Sequence, residues 1–279
     1  MFVRLDYDPE VTPTIRHGNG FSSEAPSHRD QFGFRDGDRG THSSRTMMLG
    51  ELSLLLEHIP SDADSENYLT AILEDNVLGK QTYSARKVSV QKLRELYGLN
   101  SKLPIFRLLR FFWSLDKQAR PTLALLCALA RDPLLRLSID AILQIPLGAP
   151  FNKQEISQAI TQVAPNRFTA NTLSSITRNI ASSWTQTGYL TGKVRKSRTQ
   201  PVITVATVTY ALILGYLQGH RGQALFATPW VRVLGLPTTE IIALVREAAR
   251  RSWLDYRGVG SMVEIRFPQL LAEEEKSWR

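Results

Sequence analysis

Cysteine is nearly absent: Cys127 is the only one in 279 residues, and it sits in the apolar run TLALLCALA. No intramolecular disulfide can form, and a lone thiol in such a run reads as a small core residue in a chain suited to a reducing compartment. There is no CxxC, no HExxH and no His/Cys cluster with ligand spacing, so no metal is expected. The GKQT beginning at Gly79 lacks the upstream glycine of a phosphate-binding loop, with Glu74 in its place, and no nucleotide hydrolysis or cofactor is expected. Asp132 and Asp140, and the pair Glu74 and Asp75, have no lysine beside them in a nuclease arrangement, so no catalytic residues are expected. Asp132, before Pro133, reads as a helix cap or a partner for Arg131 or Arg136.

Long hydrophobic runs are also missing. Pro201 to Gly219 is uncharged but short for a membrane span and carries threonines, tyrosines and a glutamine, which reads as a buried helix. The opening MFVRLDYDPEVTPTIRHGNG has no apolar stretch of signal-peptide length, and the chain is read as cytoplasmic. The most informative absence is of acid. From Ile156 to Thr239 there is no Asp or Glu, while Arg167, Arg178, Lys193, Arg195, Lys196, Arg198, Arg221 and Arg232 are all cationic.

The net charge is +8, which favours an anionic partner. It is segregated: residues 46–75 hold seven acidic residues and no Lys or Arg, whereas residues 76–120 hold ten cations against Glu95 and Asp116. Two basic centres on one chain imply an extended footprint.

Hydrophobic content of 43% excludes wholesale disorder. Residues 1–45, rich in Gly, Ser, Asp, Arg and His, have the composition of a disordered tail. His17, His28 and His42 lie in it and are expected to be solvent-exposed and unliganded. From residue 46 the pattern is helical, with Met48, Leu52, Leu55, Leu56 and Ile59 on one face behind a Ser/Thr cap. SENYLTAILEDNVLGK follows, with Tyr68, Leu69, Ile72 and Leu73 on one face, then the basic helix TYSARKVSVQKLRELYGL. Their short connection suggests a helix-turn-helix, with Lys80, Arg86, Lys87, Lys92 and Arg94 as DNA contacts. Two strongly apolar helices come next, whose Arg107, Arg110, Arg131 and Arg136 either snorkel along the core edge or reach phosphates.

Pro146 and Pro150 mark a boundary between an N-terminal helical domain, 46–148, and a C-terminal domain, 149–272, with residues 273–279 as a tail. In the second domain a helix capped by Asn152 is followed by a helix striped with Leu173, Ile176, Ile180 and Trp184, then the hairpin pattern YLTGKVRKSRTQPVIT. Helix, turn, helix and basic hairpin describe a winged-helix-like module. Its Arg167, Asn171, Thr172 and Arg178 are candidates for groove contacts, and Lys193, Arg195, Lys196 and Arg198 for the flanking backbone. A Thr-capped helix and a second hairpin around a Gly-rich turn close the chain. The expected fold is mainly α: a helical bundle with helix-turn-helix and winged-helix-like modules and short β-hairpin wings.

The segments NYLTAILEDNVLGKQTYSARKVSVQKLRELYGL, LLRFFW, LLCALARDPLLR and TLSSITRNIASSWTQTGYLTG resemble the BrxA-like proteins of bacteriophage-exclusion (BREX) gene clusters over roughly residues 44–270. The resemblance implies a small winged-helix-like protein that binds double-stranded DNA and works beside other BREX components, among them a methyltransferase and an ATPase. It supplies no catalytic residues. A scaffold docking other defence subunits and a transcriptional regulator are the alternatives.

Overall fold

The computed structural model describes residues 28–276 apart from Asp38, Gly260 and Ser261; His17 and the rest of the first 27 residues lie outside it. The described residues begin with the one-turn α1 (His28–Phe32) and a 3-10 turn at Thr41–Ser43. Contrary to a tail reading, Phe32, Phe34, Thr41 and His42 are buried. The two phenylalanines anchor the segment, and its polar groups find partners in the body of the protein.

Four helices follow: α2 (Leu49–His58), α3 (Ser65–Leu73), α4 (Tyr83–Tyr97) and α5 (Pro104–Leu115). The expected Ser/Thr cap on α2 is not there: Met48 occupies the position in a left-handed conformation, and the Leu49 N–H instead donates to Gln186 Oε1 at 3.2 Å. Asp64 caps α3 in a reciprocal capping box with Asn67. Thr82 caps α4.

Helices α6 (Arg120–Arg131), α7 (Pro133–Arg136) and α8 (Ile139–Leu143) complete the first half. The second half holds α9 (Lys153–Val163), α10 (Ala170–Gln186), β1 (Leu190–Thr191), β2 (Ser197–Arg198), α11 (Val205–Leu217), α12 (Pro229–Arg232), α13 (Thr238–Arg250), β3 (Asp255–Val259), β4 (Met262–Arg266) and α14 (Glu273–Lys276). Both β pairs are antiparallel hairpins. Helix α13 starts without the expected threonine cap, on Pro237. The last turn is no loose tail, because both carboxylate oxygens of Glu275 accept from Arg107 Nη2, at 2.8 and 2.7 Å.

Every residue of α11 is buried, as are Thr122 to Arg131 of α6. A helix apolar all round belongs at the centre, and α11 packs against α5, α6, α12 and α13. Among the described residues no helix is long and apolar enough to cross a membrane. Cys127 is a core residue whose thiol burial pushes up to about 11. Buried side chains from both halves form one continuous cluster, so Pro146 and Pro150 shape a connection within that core and do not separate two cores.

Arginine closes six helix ends. The last carbonyls of a helix have no partner within it and carry the negative end of its dipole, and a guanidinium fork reaches two of them at once. Arg110 donates to Leu56 and Ile59 at the end of α2 (2.8 and 2.7 Å), and Arg86 to Leu73 of α3 (2.7 Å). Arg131 takes Glu95 and Arg94 of α4 (both 3.1 Å) and the Gly33 carbonyl. Arg120 takes Trp113 of α5 (3.1 Å), Arg136 takes Leu129 and Ala130 of α6 (2.8 and 3.0 Å), and Arg221 takes Tyr216 of α11 (2.6 Å). Burial pulls the Arg131 guanidinium down to about 10. Of the four arginines offered to core edge or phosphate, Arg110, Arg131 and Arg136 thus serve backbone, and Arg107 serves Glu275 and the Leu270 carbonyl.

Candidate nucleic-acid interface

The unit from residue 148 to residue 199 carries the expected order of elements. Asn152 caps α9 through the Gln154 N–H at 3.0 Å, and Thr169 caps α10 through the Thr172 N–H at 3.3 Å. In β1 and β2, Leu190 faces Arg198 and Thr191 faces Ser197. The far side of β2 is also paired, since Gly148 and Phe151 donate to the Arg198 and Lys196 carbonyls, both at 2.8 Å, and Arg198 N–H donates to Ala149 at 2.9 Å. An isolated bridge between Pro150 and Ser197, with these three backbone bonds, therefore fixes the base of the two-stranded hairpin against the entry to α9.

At the hairpin tip Gly192 has φ +101°, and a Cβ there would lie 2.1 Å from the Arg195 carbonyl oxygen. Only glycine makes that turn. It leaves Lys193, Val194 and Arg195 exposed, Val194 at 92%.

At 100° per residue, Asn171, Ser174, Ser175, Arg178, Ser182 and Thr185 of α10 fall within an arc of about 100°, and all are exposed or half-exposed. This face carries no acid. Lys196 Nζ donates to Thr185 Oγ1 (2.8 Å) and to the Gly192 carbonyl (3.0 Å), tying the hairpin to the end of that face. The core-directed side is Ile176, Ile180 and Trp184. A third side holds the N-terminal segment: Asn179 Nδ2 donates to the His42 carbonyl at 3.0 Å and the Met47 N–H donates to Ser183 Oγ at 2.8 Å.

Arg198 has to be removed from the expected phosphate contacts. It is 3% exposed, donates to the Tyr189 and Thr199 carbonyls, and places its guanidinium 5.0 Å from the Tyr189 ring centroid. The strand pleat is the reason, since Arg198 faces buried Leu190 and points inward with it. Burial lowers its pKa, as it does that of the half-buried Lys196. Arg86 is likewise committed to the end of α3, and Lys80 is ion-paired with Glu51 at 3.0 Å. Thr172 is half-buried, bonded to Thr169 Oγ1 at 2.9 Å. Asn171, Arg178, Lys193 and Arg195 remain exposed, Arg178 touching Ser175 Oγ at 2.9 Å.

The connection between α3 and α4 runs from Glu74 to Thr82, longer than a helix-turn-helix turn. The basic side of α4 instead lines a groove with parts distant in sequence. One end of the groove is bordered by Lys87, Gln91, Arg94 and Arg35; the other is a cleft of about 440 Å³ among Arg35, Arg39, Lys92, Glu95, Arg167 and Phe168. Lys87 lies over the Tyr83 ring at 4.8 Å, and Arg167 over the Phe168 ring at 5.0 Å. Burial pushes the Glu95 carboxyl up, but hydrogen bonds from Lys92, Thr41 and Gln91 outweigh it and hold it below its ordinary value. Arg35 and Arg39 were missed by sequence because they lie in the polar stretch assigned to a tail; the QFGF at residues 31–34 was the available signal.

One further constellation has the outline of a nucleophile triad. The His42 ring bridges Asp132 Oδ2 and Ser183 Oγ, each at 2.8 Å. All three residues are at most 1% exposed. Ser183 Oγ also accepts from the Met47 N–H and donates to the Asn179 carbonyl at 2.9 Å. Its hydrogen-bonding capacity is used within the fold, and the network reads as a tie. Among the described residues no cluster of three or more His, Cys, Asp or Glu is placed to hold a metal ion. No protein-family model matches the chain, and no curated protein aligns with it.

Proposed function

We propose that the chain is a non-enzymatic component of a BREX-type anti-phage system that binds duplex DNA. The observation that carries the DNA-binding reading is the acid-free polar face of α10, with the hairpin fastened at its end by Lys196. An α-helix fits the major groove of B-DNA, and Ser, Thr, Asn and Arg side chains bond phosphates and base edges without repelling them. Lys193 and Arg195 then reach the flanking backbone. The BREX assignment rests on the motif resemblance over residues 44–270.

Fluorescence anisotropy of a labelled random-sequence duplex at two salt concentrations tests the DNA reading. Salt-sensitive binding supports it. No binding at low salt would leave a scaffold for other subunits as the better account. Deleting the gene in a host carrying the cluster, and scoring phage resistance, tests the defence assignment.

A further inference from the structure

We propose that the cleft between α4, the stretch holding Arg35, Arg39 and Ser43, and the turn before α10 is a binding site for a phosphate ester of the nucleotide class, separate from the outer face of α10. The cleft measures about 440 Å³, within the usual range for small-ligand sites. Among the described residues that line it, Arg35, Arg39, Lys92 and Arg167 stand with the carboxylate of Glu95. Guanidinium groups gathered round one cleft suit a dianionic phosphate, which accepts several forked bonds at once.

The site is braced. Arg35 Nη1 donates to the Glu95 carbonyl at 3.3 Å, and Lys92 Nζ holds Glu95 Oε2 at 2.8 Å. The same carboxylate takes Thr41 Oγ1 at 2.7 Å and Gln91 Nε2 at 3.0 Å. Glu95 thereby supplies counter-charge to a cluster that would otherwise repel itself. A phosphate competes with Glu95 for Lys92. Phe168 is half-buried at the rim with the Arg167 guanidinium over its ring, and a base can stack on such an aromatic and guanidinium pair.

The phosphate has two possible sources. It can belong to a free nucleotide, or to a DNA backbone whose path extends past the N-terminal end of α10. The 17 residues of α10 put about 25 Å between the cleft and the hairpin. Only the second source rests on the DNA-binding reading.

The test uses the full chain, calorimetry with ADP, and anisotropy with the labelled duplex. The variants are Arg39→Glu/Arg167→Glu, Glu95→Gln and, as a control, Lys193→Glu/Arg195→Glu. ADP binding that falls at least about tenfold in the first variant, tightens severalfold in Glu95→Gln and is unchanged in the control supports the free-nucleotide source. No ADP binding, but duplex affinity weakened about tenfold by Arg39→Glu/Arg167→Glu and increased by Glu95→Gln, supports the backbone source. ADP binding without any duplex binding would sink the DNA reading and leave the cleft standing. ADP and duplex affinities both indifferent to the cleft variants, or ADP binding absent with duplex binding unaltered, would overturn the proposal. Glu95→Gln keeps the hydrogen-bonding shape of the side chain, so a gain of affinity there separates charge from misfolding.

Discussion

His42 meets Asp132 twice: its ring Nδ1 lies 2.8 Å from Oδ2, and its backbone N–H donates to the same oxygen at 3.0 Å. The other carboxylate oxygen caps α7 through the Leu135 N–H at 3.1 Å. Gly40 passes so close that a Cβ would stand 2.1 Å from Oδ1. One buried carboxylate thus joins the N-terminal segment, the start of α7 and, through Ser183, α10.

His42→Ala leaves that buried carboxylate without its ring partner, and removing one partner of a buried hydrogen bond costs about 1–3 kcal/mol. Chemical denaturation at neutral pH should show the loss. Gly40→Ala should lower stability through the same oxygen, by steric overlap.

The pH dependence follows from Asp132. Burial raises its pKa, but the charge and hydrogen bond of His42 outweigh burial and hold the folded value below the ordinary one. A depressed carboxylate contributes stability that is fully present above the unfolded value of about 4 and lost as pH falls through the folded value. Urea midpoints measured from neutral pH downward should therefore drop more steeply below about pH 4 in the wild type than in Asp132→Asn. Equal slopes would refute the assignment.

Arg110→Met removes both donors to the end of α2. Two stranded carbonyls should cost about 3 kcal/mol, or about 5 °C in Tm. Duplex affinity should not change once folding is restored by lower temperature. A large loss of affinity with unchanged Tm would return this arginine to the interface.

In the hairpin, Lys193→Ala/Arg195→Ala should reduce the log–log salt dependence of duplex binding by about 1.8, at about 0.9 per phosphate contact. Arg198→Met should instead lower stability, because its guanidinium braces Tyr189 and Thr199. A slope that ignores the double variant removes the hairpin from the interface.

On the outer face of α10, Ser174→Glu/Arg178→Glu places acid where there is none. Both residues are exposed, so thermal melts should stay within about 2 °C of wild type. Duplex affinity should fall at least about tenfold. Undiminished binding would relocate the contact.

Periodicity made the helices legible. The stripe of Ile176, Ile180 and Trp184 in α10, the uncharged run that became α11 and the caps at Asn152 and Asp132 could all be read from residues alone. The hairpin was legible as alternation, but the inward turn of Arg198 was not, because it depends on which strand face meets the core. Residues 28–45 misled for a different reason. Their composition is that of a solvated chain, and the groups that hold them down, among them buried Phe32 and Phe34, Thr41 bonded to Glu95 and His42 bonded to Asp132, meet partners that no local pattern announces. The arginines at helix ends look in sequence like any surface cation, since their carbonyl partners lie mostly on other elements.

Those arginines leave a signature for sequence variation. A guanidinium that bridges two carbonyls cannot be exchanged for an ammonium without leaving one unmet, whereas either cation serves a phosphate at the hairpin tip. Across related chains, Arg110, Arg131 and Arg136 should stay arginine, while Lys193 and Arg195 drift freely between lysine and arginine. Where net charge merely counts cations, the pattern of permitted exchange would tell those that hold the protein together from those that meet its partner.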